Sequence, residues 1–243
     1  MERVVGWIDD VQPDVLCLQE TKLAEAAFPA DEFERRGYEC VHHGEGRWNG
    51  VAIISRVGLD APLAGFGDDI EPDPQARLVW ATCGDVRIAS AYVPNGRSLD
   101  DDHYTYKLGW LARLRAVLDA RHEPTEALMI VGDWNIAPTD DDVWDPAAFI
   151  GATHTSTPER EALAAVEAWG LTDVFRALQP QPGLFSWWDY RGGSFHKKQG
   201  MRIDLLEATA PVVERARYTV IDRNARKGTQ PSDHAPVLID LAD

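Results

Sequence analysis

Short apolar runs recur along the chain and mark strands: Val15–Leu18, Val51–Ser55, Leu78–Thr82, Val86–Tyr92, Leu128–Val131, Met201–Leu206, Tyr218–Ile221 and Val237–Leu241. Each has strand length and ends in polar or turn-forming residues, the pattern of buried and half-buried strands. Cys83-Gly84-Asp85 predicts a hairpin between two of them, because Gly-Asp supplies the turn geometry. Helical spacing appears at Val4, Val5, Ile8 and Val11 and stops at Pro13. It returns over Tyr104–Arg121, with Leu108, Leu111, Leu114, Val117 and Leu118 on one side. A third helix is delimited by Thr157 as cap, Pro158 in the first turn and Gly170 beyond Leu163, Val166 and Trp169. No repeat or long linker interrupts the pattern, so one domain over residues 1–243 is expected. Helices among many short strands predict an α/β sandwich, two packed sheets with helices outside.

Composition narrows the setting. A chain of 243 residues buries a sizeable core without staples. No run approaches the ~18 apolar residues of a membrane helix, and MERVVGWIDDVQ lacks the apolar core of a secretory signal. Cys17, Cys40 and Cys83 are far apart without CxxC spacing. That argues against a disulfide framework or zinc site and for a reducing, cytoplasmic location. The formal charge of −16 counts against nucleic acid. Its distribution changes that picture: Trp187–Lys227 holds nine basic and five acidic residues, a net of +4, leaving −20 elsewhere. A locally basic face can hold a phosphodiester backbone, and clustered carboxylates suit a hard metal ion.

Candidate chemistry sits where apolar runs end in polar residues. Glu20 closes Leu16-Cys17-Leu18-Gln19-Glu20-Thr21; alone it reads equally as a solvated strand-end acid. Asp133 and Asn135, in Gly132-Asp133-Trp134-Asn135, are placed to share one side of a strand end and to orient a water or a phosphate. The plain alternative is an Asx-turn. Gly132 permits close backbone approach. Asp204 stands inside the apolar run Met201–Leu206, where an acid needs a partner. His234, in Ser232-Asp233-His234-Ala235-Pro236-Val237, is a natural one, although a strand-end histidine bonded to backbone is the bland reading. Tyr92 and Asn95 offer neutral donors to phosphate oxygens at another strand end. These shared positions predict one cleft.

In this order, the segments resemble the exonuclease III family of bacterial abasic-site endonucleases, within the exonuclease–endonuclease–phosphatase superfamily. The matching blocks are QET at 19–21, WNGVAI at 48–53, YVPNG at 92–96, GDWNIAPTD at 132–140, WWDYR at 187–191, RIDLL at 202–206 and SDHAPV at 232–237. The resemblance implies a four-layer, DNase I-like α/β sandwich acting as a monomer. It implies Mg²⁺ or Mn²⁺ as cofactor, with Glu20, Asp133, Asn135, Asp233 and His234 around the metal. Asp133 would activate the attacking water, Asn135 and Tyr92 would contact the phosphate, and His234, buttressed by Asp204, would stabilise developing charge. Trp187, Met201 and Ile203 would line a pocket for a flipped-out abasic sugar. Asn95, Arg191, Lys197, Lys198 and Arg202 would meet the backbone of double-stranded DNA carrying abasic sites or 3′ ends. The implied activities are 3′→5′ exonuclease and abasic-site endonuclease, with 3′-phosphatase as a further one.

The family's opening strand, ending in Trp-Asn, has no counterpart here. A chain truncated at the N-terminus is therefore expected, with an unpartnered strand edge beside Val15–Leu18 and unpaired or water-matched backbone there. Two further readings follow: an abasic-DNA-binding protein with impaired catalysis, and a phosphoesterase acting on a substrate other than nucleic acid.

Overall fold

The computed structural model describes residues 1–242, folded as two compact units. The first comprises Met1–Tyr92 with Glu126–Gly132, the second Val93–Thr125 with the chain from Asp133 onward. No linker separates them, which is why no boundary shows in the composition: one crossing falls inside a strand, between Gly132 and Asp133.

The first unit opens with α1 (Glu2–Val11), closed by Gln12 in the left-handed region, whose N–H returns to Ile8 O. β1 (Val15–Gln19), α2 (Ala30–Glu34), β2 (Glu39–His43) and β3 (Val51–Ser55) follow. β1 and β2 both pair antiparallel with β3, giving the order β1-β3-β2. β3 is buried at every position, so its continuous apolar run is the centre of the sheet. Ile8, Phe33, Tyr38 and Ile54 join α1 and α2 to this sheet. β1 is an edge strand with no strand neighbour beyond it among the described residues. The remaining strands are β4 (Asp60–Ala64), β5 (Leu78–Cys83), β6 (Val86–Tyr92) and β7 (Leu128–Asp133), in that order across the sheet. The β5–β6 hairpin turns at Gly84, with φ 60, as Gly-Asp predicts.

The second unit holds α3 (Asp102–Arg121), α4 (Thr157–Glu167), β8 (Leu171–Asp173), α5 (Val174–Leu178) and α6 (Ser194–Lys197). It continues with β9 (Asp204–Thr209), α7 (Ala210–Val213), β10 (Ala216–Ile221) and β11 (Val237–Leu241). β8 pairs antiparallel with β9, and β10 with β11. The cap of α4 is Ser156 rather than Thr157, in a reciprocal capping box with Glu159. The strand expected at Met201–Leu206 is β9, displaced to Asp204–Thr209. Met201 itself makes only isolated bridges to Val143 and Trp187. Among the described residues no helix is long and apolar enough to cross a membrane.

Candidate active site

In the first unit β1 delivers Glu20, which leaves the strand at φ 52. Thr21 N–H to Gly50 O and Lys22 N–H to Asn49 O fix the loop. The Tyr92 hydroxyl, at the end of β6, donates to the Glu20 carboxylate, and Lys22 Nζ lies 2.7 Å from its other oxygen. Tyr92 is buried beneath the Arg77 guanidinium, 4.6 Å above its ring. Its proton is directed at Glu20, so Tyr92 orients that carboxylate. Gly132 has φ 135, and a Cβ there would stand 2.1 Å from Ala91 O. The close approach anticipated for it is to a neighbouring strand.

In the second unit Asp133 ends β7. Its carboxylate accepts from Asn135 N–H at 2.9 Å and from Asn135 Nδ2 at 3.2 Å. The Asx-turn is therefore present, and it holds a buried carboxylate in a single orientation. Asn135 makes the turn in the left-handed region, φ 51, which asparagine tolerates better than most residues. Across from it His234 Nδ1 lies 2.9 and 3.0 Å from the two oxygens of Asp204, and Nε2 lies 3.9 Å from Asp133. Burial works against a charged ring, but Asp204, by charge and hydrogen bond, and then Asp133 and Asp233 outweigh it; the His234 pKa rises to about 10. His234 is thus an imidazolium at neutral pH. The 3.9 Å separation is too long for a hydrogen bond and leaves Nε2–H to a bridging group.

Asp233 accepts the Trp187 indole N–H at 3.1 Å. Ser186 Oγ accepts from both Ile203 N–H and Asp204 N–H at 3.2 Å, tying the tryptophan segment to the start of β9. Ala137, Val143, Met201 and Ile203 form a buried cluster against which Trp187 packs.

Several expectations change here. Arg202 does not meet a DNA backbone: it is fully buried, bound to Asp142 at 2.7 Å and Asp173 at 2.7 Å. The chain path that exposes neither Met201 nor Ile203 puts Arg202 into an ion-pair network instead. Met201, 2% exposed, supports Trp187 from beneath and does not line a pocket itself. Asn135 is committed: Nδ2 donates to Asp133 and to Val93 O, and Oδ1 accepts from Asn95 Nδ2 and faces His154 Nε2 at 3.1 Å. Both of its amide hydrogens are taken by Asp133 and Val93 O. Arg191 is exposed, paired with Asp189 at 2.9 Å, while Lys197 and Lys198 are exposed. Among the described residues no group of three or more His, Cys, Asp or Glu is gathered as a metal site.

Lys107, Glu159 and His154, which sequence reasoning passed over, complete the second unit's set. Lys107, wholly buried in α3, reaches Asn135 O at 2.6 Å and Glu159 Oε1 at 2.5 Å. His154, on the loop before α4, faces Asn135. Burial, then the Lys107 charge, push its pKa down to about 4, so it is neutral. A signal existed for Lys107: it shares the 3.6-residue stripe of Leu111, Leu114 and Leu118. His154 had none.

Known proteins resemble this chain over most of its length. The Endonuclease/Exonuclease/phosphatase family model matches residues 1–234. Exodeoxyribonuclease III of Haemophilus influenzae is 33% identical over 95% of this chain and 90% of its own length. An AP endonuclease structure from Archaeoglobus fulgidus superposes with TM-score 0.94 at 33% identity, covering 98% of this chain and 92% of that one. A Neisseria 3′ phosphatase bound to a product DNA hairpin gives TM-score 0.94 at 35% identity, covering 99% and 93%. The chain belongs to the endonuclease/exonuclease/phosphatase family. It is a phosphoester hydrolase of the DNA-repair nuclease kind, and its fold is the α/β sandwich of those structures.

Proposed function

We propose that this chain cleaves phosphodiesters of double-stranded DNA beside abasic sites and removes nucleotides or phosphate from 3′ ends, using Mg²⁺ or Mn²⁺. The observation that carries the reading is the Asp204–His234 pair with its free imidazolium N–H turned toward Asp133. In-line attack on a phosphodiester needs an oriented water and a fixed positive charge for the developing oxyanion. Asp133, its oxygens aligned by Asn135, supplies the acceptor for the water proton. His234 supplies the charged donor. Trp187, braced by Asp233 and by Met201 and Ile203, forms the apolar wall for an extrahelical sugar. The donor chemistry of Glu20 fits a hard cation: it is an exposed carboxylate that here holds the Lys22 ammonium. A divalent cation bound there would neutralise phosphate charge and acidify a bound water.

A fluorescently labelled abasic duplex, incubated with Mg²⁺, with Mn²⁺ and with chelator, tests the reading. Strand scission with either metal and none with chelator is expected, while binding persists in chelator. Binding without scission in any metal would make the chain a recognition protein. Scission of a phosphomonoester or lipid headgroup but not of DNA would place its substrate elsewhere.

The exposed lysines give a separate prediction. Lys197→Ala with Lys198→Ala weakens DNA binding and flattens the slope of log K against log salt by about 0.9 for each phosphate no longer neutralised. An unaltered slope in equilibrium titrations would mean that the DNA runs along another face.

A further inference from the structure

The two amides around Asn135 are oriented by their backbone contacts, and their hydrogen bonds end on a residue with no role so far. Asn95 is oriented first: its Oδ1 accepts Arg97 N–H at 3.1 Å, so Nδ2 is the atom facing Asn135 Oδ1 at 3.0 Å. Asn135 is oriented by the opposite side, where Nδ2 meets two acceptors, Val93 O at 2.9 Å and Asp133 Oδ2 at 3.2 Å. Flipping the amide would set its oxygen against both. Asn135 Oδ1 is therefore an acceptor with a second group 3.1 Å away, His154 Nε2. His154 Nε2 lies 3.1 Å from Asn95 Nδ2 as well, so this one ring nitrogen meets both amides. Nδ1 pairs with Thr153 Oγ1 at 2.9 Å.

The backbone at His154 is as constrained as the ring. Its φ is 75, in the left-handed region that a histidine visits rarely. Its N–H donates to Glu159 Oε1 at 2.9 Å and its C=O accepts from Ala137 N–H at 2.8 Å. The other Glu159 oxygen closes the capping box of α4 through Ser156 N–H at 3.1 Å and Oγ at 2.6 Å. The helix start thus aims the imidazole at the Asn95–Asn135 amide pair. A sparsely populated backbone state held from both sides is the kind of local feature that clusters at functional sites.

We propose that His154 is a positioning residue of the nuclease site. Held at Nδ1 by Thr153, it pins the paired Asn95 and Asn135 amides with Nε2, and through Asn135 it sets the direction of the Asp133 carboxylate. The inference rests on the role given above to Asp133. Its effect is on turnover, because the aligned oxygen is needed in the transition state, while DNA binding belongs to other residues.

The test uses the whole chain with His154→Ala, His154→Gln, Thr153→Val and, as reference, Asp133→Asn. Cleavage of an abasic duplex in saturating Mg²⁺ is read beside the NMR signals of the Asn135 side-chain amide. His154→Ala lowers kcat about 10- to 100-fold, the scale on which residues that orient a site's working groups act, with KM within about twofold. Glutamine, which retains an N–H donor, recovers most of kcat; valine at 153 causes a smaller loss. The two Asn135 amide protons are distinct and slow to exchange in the unsubstituted chain and in His154→Gln, and fast in His154→Ala. Unchanged kcat in His154→Ala, no recovery by glutamine, or lost kcat with unaltered Asn135 signals each overturns the proposal. Should His154→Ala not fold, Thr153→Val decides: unchanged kcat and unchanged Asn135 exchange sink it. Activity in Asp133→Asn equal to that of the unsubstituted chain refutes the site reading instead, and the Asn135 signals then judge the clamp alone.

Discussion

Asp204→Asn lowers cleavage of abasic DNA about 10²-fold or more at pH 7, the scale of losing one preorganised charge at a transition state. The carboxylate does two things that an amide does not. It accepts the Nδ1 proton of His234 with both oxygens within 3.0 Å, and it contributes the charge that keeps the ring protonated. With Asp204 in place the His234 pKa stands at about 10. Without that charge it falls toward the ordinary histidine value of about 6.5, Asp133 and Asp233 opposing part of the fall. The alkaline limb of the pH–rate profile therefore moves to lower pH. The stability effect has the same direction. A folded-state pKa above the unfolded one stabilises the fold in full below about pH 6.5, and that stabilisation is lost as pH rises through about 10. Melting temperatures at pH 6 and pH 10 should accordingly differ more for the unsubstituted chain than for Asp204→Asn. Rates and an alkaline limb indistinguishable between the two proteins would remove His234 from the chemistry.

The candidate residues legible in the sequence were those that end or interrupt apolar runs. Glu20 and Asp133 each close such a run, and Asp204 interrupts one, where an acid needs a partner. The same logic misplaced Arg202. Reading Met201–Leu206 as a strand with one acid treated the arginine as a surface residue, while its partners Asp142 and Asp173 lie 60 and 29 positions away and no local rule joins them. Edge and surface strands were hidden for another reason. β2 reads Glu-Cys-Val-His-His, with little apolar content, because β3 supplies its pairing and one face stays wet. β4 contains a proline and exposed residues and is recognisable only from the β5 partner it borders. His154 depends on a left-handed backbone turn and on Glu159 reaching back from α4. Such a placement is fixed by tertiary contacts and leaves no period behind.

Lys107→Met destabilises the fold by about 3–5 kcal/mol, the cost of leaving one member of a buried ion pair without its partner. Lys107 and Glu159 are both fully buried and 2.5 Å apart, so no water compensates the stranded carboxylate. In a chain of this size the loss corresponds to a fall in Tm on the order of 10 °C. The pH dependence identifies the cause. Burial alone would raise the Glu159 pKa; the Lys107 charge and its hydrogen bond, followed by those from Ser156 and His154, hold it below the usual carboxylate value. That contribution is present above the unfolded pKa of about 4.5 and disappears as pH falls through the folded one. In Lys107→Met the buried carboxylate loses its counter-charge and takes up a proton more readily, so the deficit against the unsubstituted chain narrows toward acid pH. Adding Glu159→Gln to Lys107→Met removes the stranded charge and returns part of the stability at neutral pH. It does not return activity, because Lys107 also donates to Asn135 O at 2.6 Å and the loop that carries the Asp133–Asn135 turn stays without that anchor. Thermal melts from pH 4.5 to 8 for the single and double variants, with cleavage rates beside them, separate the two effects. A deficit independent of pH, or a double variant that recovers both Tm and rate, would show that the lysine fills space and holds nothing.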